Sequence, residues 1–306
     1  MTDVAVRPTT TRDYAIVTAG YWAFTLTDGA LRMLVLLHFH ELGYSPVALA
    51  FLFLLYEVTG IVTNLLGGWV GARSGLNRTL VAGLALQVVA LLGLSVHDPS
   101  WAEVTSVAFV MAVQALSGVA KDLTKMSSKS TVKLVAGDGS LFRLVAILTG
   151  SKNALKGVGF FMGAALLASI GYDASLVVMA TGLVVVSIAA ATLLRNDLGK
   201  SKRKDPLRSV WTKSSAINRL SAARVFLFGS RDIWFVVALP VFLTEQLEWS
   251  FEGTGAFLAS WVIGYGLVQS LAPRLIGVDR VRGARRWSAV LAGLTGTVAV
   301  LVQLDI

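Results

Sequence analysis

Long apolar runs broken by short charged segments dominate the chain. Nine runs have the length and character of membrane-spanning helices: residues 14–37, 46–72, 79–96, 104–120, 144–170, 174–194, 220–243, 253–273 and 287–304. Each crossing needs about 20 mostly apolar residues, because no backbone N–H or C=O can go unpaired in lipid. The third, fourth, sixth, eighth and ninth runs hold no charged residue at all. The pattern predicts an all-α, polytopic membrane protein. The opening residues, MTDVAVRPTTT, read as a short solvated tail, and the first run is long enough to span without a cleavable signal peptide.

The segments between the runs alternate in charge. Arg7 and Arg12 precede the first run, and Arg73 and Arg78 follow the second. Lys121, Lys125, Lys129, Lys133 and Arg143 lie between the fourth and fifth. Arg195, Lys200, Lys202, Arg203, Lys204, Arg208, Lys213 and Arg219 lie between the sixth and seventh, and Arg274, Arg280, Arg282, Arg285 and Arg286 between the eighth and ninth. The other linkers carry only acids: Glu41, Asp98, Glu103, Asp173, Glu245, Glu248 and Glu252. By the positive-inside rule this places the N-terminus in the cytoplasm.

Composition agrees. Of 306 residues, 55% are hydrophobic and 15% charged, and mean hydropathy is +0.70. A soluble fold cannot hide so much apolar surface, which excludes a cytosolic enzyme, a DNA-binding protein and a disordered scaffold. The net charge of +9 follows from the linkers and does not signal a nucleic-acid partner. With no cysteine, disulfides, thiolate metal sites and a cysteine nucleophile are excluded, and no cofactor is expected.

The basic segment 195–218, which contains Pro206, separates a six-span unit (13–194) from a second unit (219–306) with three spans. This layout resembles the major facilitator superfamily, whose members usually have twelve spans in two pseudo-symmetric halves. The resemblance implies nine helices of an expected twelve, as a fragment or a truncated reading frame. The loop GWVGARSGLNR (68–78) is similar to the superfamily's glycine- and arginine-rich cytoplasmic motif, with Ala72 in place of the usual aspartate. Gln114 stands where proton-coupled drug exporters carry an arginine, and Gly157, Gly159 and Gly163 resemble the antiporter glycine motif without its proline.

Four stretches, TAGYWAFTLTDGALRMLVLLHFHELGYSP (18–46), AFLFLLYEVTGIVTNLLGGW (50–69), GVAKDLTKMSSKSTVKL (118–134) and LFRLVAILTGSKNALKGVGFF (141–161), resemble the ArsJ-type organoarsenical efflux permeases. The resemblance continues through FGSRDIWFVVALPVFL (228–243). It implies secondary active efflux of 1-arseno-3-phosphoglycerate and a functional link to glyceraldehyde-3-phosphate dehydrogenase, which makes that labile ester. Export followed by breakdown outside would confer arsenate resistance.

Charges within the runs mark the candidate site. Arg32, Lys152, Lys156, Arg224 and Arg231 are accompanied by only three acids, Asp28, Glu57 and Asp232. A mid-bilayer charge costs at least ~2.5–3.5 kcal/mol, so each must face a cavity or a partner. Pairing every acid leaves two cations over, which suits an anion. Lys152 and Lys156 share a face at i,i+4, and so do Asp28 and Arg32. Asp28 either pairs with Arg32, or pairs with Lys152 or Lys156 and leaves Arg32 to hold an oxyanion. Pseudo-symmetry relates the first run to the seventh. An arginine from each, Arg32 and Arg231, resembles the clamp of organophosphate antiporters, and guanidinium forks grip tetrahedral oxyanions bidentately. Arg224 is placed to snorkel to headgroups.

Arg32, Lys152, Lys156 and Arg231 are therefore expected to bind substrate, with Asp28, Glu57 and Asp232 as coupling or ion-pair residues. Glu57 suits either proton coupling or a hydrogen bond to Thr63 or Asn64. The lysines at 121, 125, 129 and 133 form a drifting stripe along a possible helical extension, which either funnels anions or contacts lipid phosphate. His38, His40 and His97 lack metal-ligand spacing and read as solvated. Close glycine pairs such as Gly159/Gly163 read as helix packing, and Trp101, Trp249 and Trp287 as interfacial anchors. No catalytic constellation or Walker-type loop is present, which points away from an enzyme or an ATP-driven pump. Transport of another phosphorylated organic anion stays open, as does a truncated permease serving as a receptor or interaction module.

Overall fold

The computed structural model describes residues 11–136, 140–194, 214–216, 218–219, 222–223, 239, 242–277 and 279–303. Among these residues every element is helical: α1 (Thr11–Glu41), α2 (Pro46–Phe51), α3 (Leu54–Ser74), α4 (Leu76–Leu94), α5 (Glu103–Val135), α6 (Leu141–Ile170), α7 (Tyr172–Leu193), a π-type turn (Phe242–Gln246), α8 (Phe251–Ile276) and α9 (Arg280–Gln303). Helices close all backbone hydrogen bonds within the segment, as lipid demands.

Five stretches are both long and apolar enough to cross a membrane: Leu76–Leu94, Glu103–Val135, Leu141–Ile170, Tyr172–Leu193 and Gly253–Ile276. The described residues therefore do not establish nine spans. α1 and α3 are helical where spans were expected, but Asp28, Arg32 and Glu57 lie within them, and α9 opens with Arg280, Arg282, Arg285 and Arg286. The expected second span is divided: the Phe53 N–H bonds Ala50 O at 3.3 Å, a tighter i−3 contact that separates α2 from α3. Ser45 caps α2 by accepting from the Ala48 N–H at 3.2 Å, with Pro46 at the first helical position. The expected seventh span (220–243), with Arg224, Arg231 and Asp232, lies almost wholly outside the described residues.

The fourth span outruns its apolar stretch. The sequence predicts a span over 104–120, with a basic segment beyond it that could extend the helix, and α5 does continue unbroken to Val135. Its extension presents an interior polar face of Asp122, Thr124, Ser127, Ser128 and Thr131, all buried. Ser127 Oγ donates to Leu76 O at 2.7 Å, and Thr131 and Thr124 return their hydroxyls to their own helix. Those bonds let a hydroxyl-rich stretch remain helical inside the bundle.

Two single glycines turn the chain between antiparallel helices. Gly75 (φ +87°) joins α3 to α4, and Gly171 (φ +79°) joins α6 to α7, a left-handed backbone that favours glycine. α1 packs along α6, α5 against both α3 and α4, and α4 against α7. The core comprises Phe24, Leu31, Leu34 and Phe39 of α1, Leu80, Leu84 and Leu91 of α4, and Leu176 and Leu183 of α7. α8 lies along α6 through small residues: a Cβ on Gly157 would stand 2.7 Å from Ala259 O, and one on Gly266 2.5 Å from Gly150 O.

The end of the bundle where α1 meets α2, α4 meets α5 and α6 meets α7 carries Glu41, Asp98, Glu103 and Asp173, and is its acidic end. At the acidic end, Phe39 packs edge-on to Tyr44 and Tyr172, with His97 at 4.9 Å between ring centroids. His97 is buried and shares a hydrogen bond with Ser106 Oγ at 2.9 Å, and His38 stacks on Tyr172 at 3.9 Å. The expectation that His38 and His97 are simply solvated is corrected here. Burial pulls both imidazoles below their ordinary pKa, most strongly through lost hydration.

Candidate functional site

Close backbone approach brings the interior charges together. On α1 and α6, Gly29 lies against Lys156 O and Gly159, while Gly159 lies against Leu26 O and Ala30, and Gly163 against Ala30. A side chain at any of these three positions would hold the helices apart. With only hydrogen atoms between them, Asp28 on α1 comes within 4.0 Å of Lys156 Nζ on α6. A second seam does the same for α3 and α5. Gly118 abuts the Tyr56 backbone and Thr59, whose hydroxyl also donates to Ala115 O at 3.0 Å. That contact sets Tyr56 and Glu57 opposite Lys121, one turn beyond Gly118.

Tyr56 organises what results. Its hydroxyl donates to Asp28 Oδ1 at 2.6 Å. The Arg32 guanidinium carbon lies 4.4 Å from its ring centroid and 5.6 Å from that of Phe53. Lys121 Nζ lies 3.9 Å from the Tyr56 centroid. Both cations thus sit against one electron-rich ring. They also share one carboxylate: Arg32 is ion-paired with Glu57 Oε1, and Lys121 Nζ reaches Glu57 Oε2 at 3.2 Å.

Of the two ways to pair Asp28, the local one with Arg32 is not adopted. Asp28 takes Lys156, as in the alternative, but Arg32 is then held by Glu57 rather than left free. The i,i+4 spacing permitted the local pair, yet Tyr56 and Lys156 converge on Asp28 and leave its side chain 6% exposed. Glu57 is neither a lone carboxylate nor a partner of Thr63, whose hydroxyl donates to Thr59 O at 2.8 Å. Lys152 donates to Asn153 Oδ1 at 3.1 Å, and Asn153 Nδ2 donates to Gln269 Oε1 of α8 at 2.6 Å. No carboxylate lies within ion-pair distance of Lys152 among the described residues.

Arg32, Lys156, Asp28 and Glu57 fall into one region, with Lys152 one turn before Lys156 on α6. Arg231 and Asp232 lie outside the described residues. Lys121 and Tyr56 were not expected. Lys121 read as the first residue of a basic linker, because an apolar run had just ended. A tyrosine inside an apolar run carries no signal of its own. The rest of the lysine stripe divides: Lys125 pairs with Asp122 at 2.6 Å, whereas Lys133 is exposed.

Among the described residues the region holds four cations, Arg32, Lys121, Lys152 and Lys156, against two carboxylates, Asp28 and Glu57; the neighbouring Asp122 is paired with its own Lys125. Arg32 Nε is in addition a buried donor without a hydrogen-bond partner among the described residues. Partly buried positive charge in excess of its counter-charge is costly unless an anion completes it. Among the described residues no group of His, Asp and Glu could hold a metal ion.

A helical bundle with its charges gathered on facing helices defines a multi-pass membrane protein with a polar interior site. The family model of the Major Facilitator Superfamily matches residues 17–305. The chain belongs to this superfamily, and is accordingly a secondary transporter of a small molecule. No curated protein matches the chain.

Proposed function

We propose that the protein exports an organic anion from the cytoplasm across the bacterial inner membrane by alternating access of two halves. The substrate is 1-arseno-3-phosphoglycerate, and its removal gives arsenate resistance. The observation that carries the anion reading is the cation excess at the shared site of α1, α3, α5 and α6. Arg32 offers a guanidinium, the donor best suited to a tetrahedral oxyanion, with Lys121, Lys152 and Lys156 as point charges around it. The choice of an arsenylated phosphoglycerate rests on the resemblance of residues 18–46, 50–69, 118–134 and 141–161 to the ArsJ-type permeases. In this reading Arg231 supplies the matching clamp from the second half and Asp232 an ion-pair partner. Segment 195–218 is the cytoplasmic connection between halves, and Asp28 and Glu57 hold the cations when no substrate is bound.

Arsenate tolerance tests the reading. An arsenate-sensitive bacterium is made to express this chain with and without a glyceraldehyde-3-phosphate dehydrogenase. Tolerance that requires both proteins is the expected result. Equal sensitivity in both strains, with the protein present in the membrane, would remove the arsenical assignment.

A further inference from the structure

We infer that Glu57 is a placeholder for the transported anion: its carboxylate occupies Arg32 and Lys121 in the empty site, and the incoming oxyanion displaces it from both. The inference rests on the anion-binding reading above and adds a mechanism to it. The two carboxylates of the site are built differently. Asp28 is 6% exposed, receives the Tyr56 hydroxyl at 2.6 Å and faces Lys156. Glu57 is 56% exposed, although the cations it bridges are only 21% and 23% exposed. Its bonds are to those two cations alone among the described residues, so nothing else anchors it.

The cations, by contrast, keep their places without Glu57. Arg32 rests over the rings of Tyr56 and Phe53, and Lys121 over that of Tyr56. Tyr56 is fixed in turn by its bond to Asp28. Departure of the Glu57 side chain leaves a preformed pair of cations on one aromatic platform, spaced to bracket a single oxyanion. A phosphate or arsenate group carries more charge and more acceptor oxygens than a carboxylate, so it wins the exchange when present and yields it back on release. The empty carrier thereby avoids a bare cation pair in a low-dielectric interior, which would otherwise retain anions and stall turnover.

Glu57→Gln removes the competitor while keeping the shape of the side chain. With purified protein in detergent and 3-phosphoglycerate as the probe, the expected result is a dissociation constant about tenfold tighter than that of the unaltered protein. Turnover in vesicles should fall at the same time, because release loses its competitor. A residue needed only for folding would instead weaken binding and turnover together. Glu57→Asp, too short to bridge both cations, should tighten binding by about threefold and keeps the test decisive if the glutamine variant does not fold. Probe binding to the unaltered protein with no tightening in either variant would overturn the placeholder and leave the anion site standing. No binding to the unaltered protein or to either variant would overturn both.

Discussion

At the acidic end of the bundle, His97, Ser106, Phe39 and Tyr172 make a neutral cluster in which rings pack face and edge and the imidazole has its hydrogen-bond partner. Midway along the same α1, the surroundings of Asp28 and Arg32 are organised on another principle. Aromatic rings are again present, but Tyr56 and Phe53 support cations instead of other rings, and three cations share two carboxylates while Lys152 turns to Asn153. Aromatic packing serves stability at one level and holds unbalanced charge in position at the other. Charge excess is the feature that separates the proposed substrate site from a packing cluster built with similar residue types.

The largest way to break the difference is to part the helices that create it. Gly163→Leu drives a side chain into the Ala30 backbone and should destabilise the protein by about 3 kcal/mol, read by thermal unfolding in detergent, because backbone cannot yield as a flexible side chain does. The interior cluster should lose its geometry while the acidic-end cluster, held by α4, α5 and α7 as well, is affected less. Tyr56→Phe is more selective. It keeps the platform under Arg32 and Lys121 but removes the hydroxyl given to Asp28, at an expected cost of about 1.5–3 kcal/mol for a hydrogen bond to a charged group.

The two levels were not equally legible in the sequence. Arg32, Lys152 and Lys156 stand out because a charge within an apolar run demands an explanation, and the glycine at 163 reads directly as close packing. Lys121 was hidden for a physical reason: its helix continues past the apolar run, since Ser127 and Thr131 face neighbouring helices and spend their hydroxyls on backbone carbonyls. The apolar run therefore ends about fifteen residues, roughly four helical turns, before α5 does. The i,i+4 spacing suggested an Asp28–Arg32 pair, but contacts from α3 and α6 decided the partners. No local pattern announces that Tyr56, 28 residues after Asp28, will bond it. At the other end, histidines near span termini read as solvated because their burial comes from rings on distant helices.

A smaller effect sharpens the contrast through pH. Burial favours neutral His97 in the folded protein, against the opposing pull of Asp98 and Asp173, so its pKa lies below the ordinary 6.5. The corresponding stability is complete above pH 6.5 and is lost as pH falls below it, since the unfolded chain then binds the proton more readily. Unfolding followed across that window should show the loss, and His97→Gln should flatten it. The smallest effect is expected at the exposed end of the lysine stripe. Lys133→Gln should change stability by less than about 0.5 kcal/mol and leave transport unaltered, whereas Lys121→Gln should impair transport although it belongs to the same stripe.

The most direct test of the charge-excess site is uptake of radiolabelled 3-phosphoglycerate into inside-out vesicles, comparing the unaltered protein with Arg32→Gln and with Lys156→Gln. Saturable uptake by the unaltered protein, reduced about 100-fold by Arg32→Gln and substantially by Lys156→Gln, is the result predicted, in line with the 2–5 kcal/mol carried by one member of a partly buried charge pair. Undiminished uptake in both variants, at equal amounts of folded protein, would contradict the assignment of this cation cluster as the place where substrate binds.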